Sequence, residues 1–309
     1  MTGQGIRLVT AEMYPAGNER LRTFALFYFV ILLTVWVIAG HLVLGFEQAW
    51  IQPVVSVATA CAVQVLLDVV DSLVKGRPSR LAGGWLSVAT LIIPAWISGL
   101  AIGMLLWPNK LLLPLVLAAS LAIASKVVFR APYGSGTQHI YNPSNFGLTV
   151  VLFLCPWVSI APPYHFTENV VGIWNWIVPG LILVSGIVVH TFCTGRLPLV
   201  GAWLCGFVTQ ALIRHYFFGA SFWAPLVPMT SAAFVLFTLY MIPDPATTPI
   251  DTKRQIAFGL SVAAVYALFQ ISHQVYGLFG ALLLVSTIRG IGLWLALPLH
   301  GRRTEGGKA

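Results

Sequence analysis

The chain has 309 residues, of which 58% are apolar and 8% charged, with 17 Lys and Arg against 9 Asp and Glu. Soluble globular domains carry about 25% charged residues, so this composition excludes a water-soluble fold and points to an integral membrane protein. The polar stretches are also too short to build a separate soluble catalytic domain.

A spanning helix needs about 20 mostly apolar residues. In chain order the apolar runs predict helices over 24–45, 51–74, 84–107, 110–129, 146–161, 173–193, 197–214, 223–243, 255–272 and 275–297. Residues 1–23 precede the first run, carry Arg7, Glu12, Glu19, Arg20 and Arg22, and offer no small-residue cleavage site, so no removable signal peptide is expected. With that segment in the cytoplasm, 14 of the 17 Lys and Arg fall on the inner side, Lys110 and Arg214 fall outside, and Arg289 lies within the last helix. This is the positive-inside pattern. It predicts a multi-pass plasma-membrane protein with both termini cytoplasmic, and it accounts for the net charge of +8 without nucleic acid.

The organisation expected is all-α: about ten spans as two inverted five-helix repeats, 24–161 and 162–297, flanked by the segment 1–23 and a tail over 298–309. An odd number of helices per repeat forces the inversion. GWLSVATLIIP, from Gly84 to Pro94, is similar to AFVLFTLYMIP, from Ala233 to Pro243, each an apolar run stopping at proline.

Three polar segments stand out. Between the fourth and fifth helices, RAPYGSGTQHIYNPSNFG runs from Arg130 to Gly147. Gly134 and Gly136 permit close backbone approach, while Ser135, Thr137, Gln138, His139, Asn142, Ser144 and Asn145 offer donors and acceptors. Asn142 or Ser144 can cap a helix beginning at Pro143, and the free N–H groups of that terminus suit an anionic or carbonyl-rich ligand. Between the eighth and ninth helices, MIPDPATTP places Asp244 between two prolines, followed by Thr247 and Thr248. This can be a rigid turn or part of a site. The third segment, Asp68 to Gly84, has Asp68 and Asp71 on one helical face. Asp71 can pair with Lys75 at i,i+4, whereas Asp68 lies deeper, and an intramembrane carboxylate is by default functional. Arg289 needs a partner on the same side, with Asp68 or Asp244 as the candidates, so Asp68 and Arg289 form a candidate proton or ion relay.

The four cysteines make no CxxC motif, and His41, His165, His190, His215, His273 and His300 are scattered singly, so no metal or haem site is expected. Trp50, Trp107, Trp174 and Trp223 mark helix ends as interfacial anchors.

At SKVVFRAPYGSGTQHIYNPSNFGLTVVLFLCP and MIPDPATTP the chain resembles the membrane subunits B of the Na⁺-translocating NADH:quinone oxidoreductase and D of the Rnf electron-transport complex. Within that superfamily, GHLVLGFEQAW, PWVSIAPPYHFTE and NPSNFG are similar to a branch found with enediyne polyketide biosynthesis genes. The resemblance implies a ten-helix inverted repeat, flavin binding, transmembrane electron transfer and a quinone site near the glycine-rich turn. Carried across by position, Gly134, Gly136, His139, Asn142, Asn145, Asp244 and Thr247 become candidates for a flavin or quinone pocket, with Ser135 and Thr137 in the same turn. The family attaches FMN through the Thr of an S-G-A-T motif after the fifth helix. Here that loop reads IAPPYHFTENVVG, with Thr167 lacking small neighbours, so FMN or riboflavin held non-covalently is expected over a covalent bond to Thr167.

The function expected is a membrane redox subunit binding a flavin or quinone-like ring, serving enediyne or polyketide biosynthesis, with redox or biosynthetic partners on its cytoplasmic side. The alternatives are an inverted-repeat transporter of an ion or apolar natural product, and a membrane anchor for biosynthetic partners.

Overall fold

A computed structural model describes residues 19–133, 136–161, 169 and 171–296. The chain is a helical, multi-pass membrane protein. Among the described residues, seven helices are long and apolar enough to cross a membrane, and an eighth span results if one bent pair of helices is counted together.

Helix α1 (Glu19–Ala39) passes into a π-turn, Gly40–Leu44, which closes on Gly45 in the left-handed region at φ +81°. Helix α2 (Ile51–Lys75) ends at another left-handed glycine, Gly76, and α3 (Trp85–Leu105) runs antiparallel beside it. The contact between them is close because α3 presents Gly99 and Gly103, one turn apart. A Cβ on Gly99 would lie 2.6 Å from the Val57 Cα, and one on Gly103 would lie 2.7 Å from the Pro53 Cα. Two residues beyond α3, Leu106–Trp107 (β1), pair antiparallel with Ser159–Ile160 (β4) and so tie the end of α3 to the segment after the fifth helix.

The helices α4 (Leu113–Val128) and α5 (Pro143–Leu154) are shorter than the expected spans over 110–129 and 146–161. Proline bounds both. Pro114 starts α4 in its first turn, and α5 stops just before Pro156, as a residue preceding proline disfavours helix. Between them lies a feature not expected from sequence, a hairpin of β2 (Arg130–Tyr133) and β3 (Gly136–His139). Phe129, Tyr141 and Phe146 pack at its base with ring centroids 5.0–5.5 Å apart.

Helix α6 (Trp174–Val189) ends as α1 does, in a π-turn, His190–Thr194, closed by left-handed Gly195. Helix α7 (Leu197–Phe218) packs on α9 (Thr252–Ile271), where Gly259 meets the Leu199 carbonyl. The expected continuous helix over 223–243 is broken instead. A 3₁₀ segment, Ala224–Thr230, is followed by α8 (Ala232–Leu236) and a π-turn, Phe237–Met241, with a 74° bend at the break. Ser231 caps α8 by accepting from the Phe234 N–H at 3.2 Å. Finally, α10 (Gly277–Leu295) packs on α9 and α5.

The side chains are distributed for lipid. Leu73, Val74, Trp176, Phe217 and Val275 stand outward at 75% exposure or more, which water would penalise and a bilayer favours. Inside, Trp203, Phe207, Phe237 and Phe279 are fully buried, with Trp203 at the centre of an aromatic cluster and its indole N–H donating to Thr238 at 2.9 Å.

Candidate functional site

The three polar segments reach one cavity of about 380 Å³, the Asp68–Gly84 segment through Arg80 alone, and its size is within the range that holds cofactor-sized ligands. Thr137, Gln138 and His139 from β3, Asn142 and Ser144 at the start of α5, and the turn from Pro243 to Ala246 line one part of it. The rest is formed by α1, α3, the end of α6 with its π-turn, and α8 with the π-turn after it, together with Gln64 of α2, Arg80 of the loop before α3, Lys126 of α4 and Arg130 of β2.

Local capping sets the polar wall. The Asn142 side chain accepts from the Asn145 N–H at 3.0 Å and from the Ser144 hydroxyl at 2.9 Å, which fixes the N-terminus of α5 as its sequence predicts. Its amide N–H₂ reaches toward the Met241 carbonyl at 3.3 Å and Asp244 Oδ2 at 3.5 Å, joining the two segments. Asp244 folds its own turn: its carboxylate accepts from the Ala246 N–H at 3.1 Å and the Thr247 hydroxyl at 3.2 Å, while its carbonyl accepts from Thr248 at 2.7 Å. Burial is the largest influence on Asp244 and raises its pKa above the usual carboxylate value, against the lowering effects of these bonds and of Arg196 and Lys126. Burial, with Lys126 and Arg130 nearby, pushes His139 down to about 3, so the imidazole is neutral at physiological pH.

The opposite wall is aromatic and apolar. Phe29 of α1 meets Tyr240 edge-on at 4.9 Å, and the Tyr240 hydroxyl lies 3.1 Å from Ser185 Oγ. His190 is fully engaged, bonding the Leu239 carbonyl at 2.6 Å through Nε2 and Thr194 Oγ1 at 2.8 Å through Nδ1. It holds the two π-turns against each other at the cavity edge.

Of the residues singled out in the sequence, Thr137, Gln138, His139, Asn142, Ser144 and Asp244 line the cavity, whereas Gly136, Asn145 and Thr247 are not part of its lining. Asn145 donates to the Phe279 carbonyl at 3.1 Å and anchors α5 on α10. Gly134, Ser135 and Thr167 lie outside the described residues. The expected pairing of Arg289 with Asp68 or Asp244 is not formed. Asp68, buried on α2, accepts from Arg77 Nη2 at 3.0 Å, Ser79 Oγ at 2.7 Å and the Arg80 N–H at 2.9 Å, all within its own helix–loop unit. Arg289 donates to the Thr247 carbonyl at 2.9 Å, and with the Gln138 amide oxygen turned toward it, to that oxygen at 3.0 and 3.2 Å. Neutral acceptors thus satisfy the intramembrane guanidinium and buttress β3 and the Asp244 turn. The Asp71–Lys75 pair forms at 2.5 Å.

Sequence reasoning assigned Arg22, Arg80, Lys126 and Arg130 to topology alone, yet all four line the cavity, together with His190 and Tyr240. The placement of Lys126 and Arg130 immediately before the glycine-rich segment was the available signal. Among the described residues no group of three or more His, Cys, Asp or Glu is placed to hold a metal ion. No family model matches the chain, and comparison with curated proteins finds no match.

Proposed function

We propose that the chain is a membrane redox subunit whose cavity holds a flavin- or quinone-like ring without a covalent bond. The observation that carries this reading is the single cavity into which the glycine-rich segment and the Pro-Asp-Pro turn both fold, the two motifs on which the resemblance to the redox subunits rests. The residues fit such a group: Phe29 and Tyr240 offer ring faces and edges, and Thr137, Ser144 and neutral His139 offer hydrogen bonds to ring heteroatoms or carbonyls. A bound flavin or quinone would supply the electron transfer. The chain's own work is to seat the ring, to keep the apolar side dry with Leu33, Ile97 and Met104, and to present polar groups to the reducible edge.

In this proposal the ten apolar segments form two inverted repeats, with both termini in the cytoplasm of a bacterial-type inner membrane. The matching π-turn and left-handed glycine at the ends of α1 and α6 support the repeat, as do the corresponding packings of α2 on α4 and α7 on α9. Redox or biosynthetic partners, including those of enediyne or polyketide assembly, would dock on the cytoplasmic loops.

Visible absorbance of protein purified from its native membrane, followed by cofactor extraction, tests the reading. A flavin spectrum, or saturable binding of an added flavin or quinone, is expected. A colourless protein that binds none of them overturns it. The helical break before α8, with the π-turn at the other end of α8 lining the cavity, favours a second reading, a transporter with a discontinuous helix near its substrate site. Substrate flux in proteoliposomes, abolished by Asp244→Asn, would support that instead.

A further inference from the structure

The cavity wall carries four cationic side chains, Arg22, Arg80, Lys126 and Arg130, against one carboxylate, Asp244. None of the four is in an ion pair with another described residue. Among the described residues the ion pairs join only Lys75 and Arg77 to Asp68 and Asp71. The bonds the four do make go to neutral acceptors. Arg80 Nη2 donates to Thr90 Oγ1 at 3.0 Å, Lys126 Nζ to Gln64 Oε1 at 3.3 Å, and Arg130 to Thr137 Oγ1, the Thr137 carbonyl and the Lys126 carbonyl at 2.9, 2.7 and 2.9 Å. Arg22 makes no hydrogen bond or ion pair with the described residues. These cations come from α1, the loop before α3, α4 and β2, so the fold gathers them from four separate places in the chain.

Gathering four cations against one carboxylate in an apolar-walled site costs free energy that a bound anion offsets. Arginine also presents a planar fork matched to phosphate oxygens. The same cavity continues along Leu26, Phe29, Leu33, Leu91, Ile97 and Met104, a surface that a free inorganic anion would leave uncovered.

We propose that the cavity takes its occupant by an anionic head, a phosphate seated among Arg22, Arg80, Lys126 and Arg130, with the apolar or ring portion of the same molecule lying along α1 and α3. The inference rests on the cavity being the binding site assigned above, and it adds the charge class of the ligand. Two sources share that chemistry, a phosphorylated ring cofactor and an anionic membrane lipid.

The test uses the full chain in a neutral detergent and two matched ligand pairs, FMN against riboflavin and phosphatidylglycerol against phosphatidylcholine. In at least one pair the anionic member is expected to bind about tenfold more tightly, with a preference that shrinks as salt rises. Arg22→Gln with Arg80→Gln, and separately Lys126→Gln with Arg130→Gln, should abolish the preference while the size-exclusion profile stays that of the wild type. Because the comparison is first made within the wild type, a variant that fails to fold does not decide it. Equal affinities within both pairs, or a preference unchanged in both double variants, overturn the proposal. Equal, saturable binding of FMN and riboflavin, together with equal affinity for the two lipids, would overturn it while leaving the redox reading standing. Selective binding of phosphatidylglycerol, with no flavin or quinone bound, would sustain it and remove the redox reading.

Discussion

Asn142 does two jobs with one side chain, capping α5 through its oxygen and reaching the Asp244 turn through its nitrogen. Asn142→Ala is expected to lose about 1 kcal/mol from the cap alone, read as a lower melting temperature in detergent, whereas Asn142→Asp keeps the cap but places a second carboxylate beside Asp244 and should weaken anionic ligands. Asp244 itself gives a pH signature. Its folded-state pKa is raised, chiefly by burial and against the pull of Lys126 and Arg196, so it takes up a proton earlier than an ordinary carboxylate as pH falls. Protonation removes the one carboxylate charge that the described residues place on the cavity wall, so an anionic ligand should bind more tightly as pH falls through that raised pKa, and Asp244→Asn should flatten the response. His139, held down to about 3, stays neutral through that range and adds nothing to it. The carboxylate of Asp68 shows why residue-level reading fell short. Its partners Arg77, Ser79 and Arg80 sit 9 to 12 positions along the chain in a loop, and a folded-back loop leaves no spacing rule to read. Arg77→Ala should therefore destabilise more than Lys75→Ala, since it strips a buried carboxylate whose side chain is 3% exposed, whereas Lys75 leaves Asp71 at 38%.

The seven long helices were legible because an apolar run of spanning length has few alternatives in lipid. Other parts of the fold were legible only in part or not at all. The hairpin from Arg130 to His139 has strands of only four residues, and its glycines read equally well as a loop. Helices α4 and α5 looked longer because flanking apolar residues such as Val158 and Ile160 extended the run beyond the helix. The break before α8 is a backbone event that hydropathy cannot see, although Pro225, Pro228 and Ser231 mark it. Helix packing gives the prediction at this scale. Gly99→Ala would force its new methyl to within 2.6 Å of the Val57 Cα, so α2 and α3 must separate. A loss of about 1–3 kcal/mol is expected, against little change for Gly201→Ala, where nothing lies within 4 Å. Thermal melts of the two variants in the same detergent check the contrast.

Taken whole, the molecule turns an apolar exterior to lipid and concentrates its unusual polarity at one internal cavity. The sequence located two of that cavity's walls, the 137–144 and 243–246 segments, because they are polar islands in an apolar chain. It did not locate the walls from α1, α3 and α6, whose residues there are ordinary membrane residues until the fold brings them opposite the hairpin. The low overall charge and the cationic cavity fit together. The expected topology puts most basic residues on one side of the membrane, and four of them also line a shared space. Ring binding in that space is the central claim, and Ala101, a small residue on the wall from α3, allows it to be blocked without touching the polar groups. The most direct measurement is a titration of purified protein with riboflavin, FMN and a short-chain quinone, comparing wild type with Ala101→Trp. Saturable binding of at least one of these by the wild type, lost when the indole fills the cavity, is the predicted result; no saturable binding by the wild type, or binding that Ala101→Trp leaves unchanged, would contradict it.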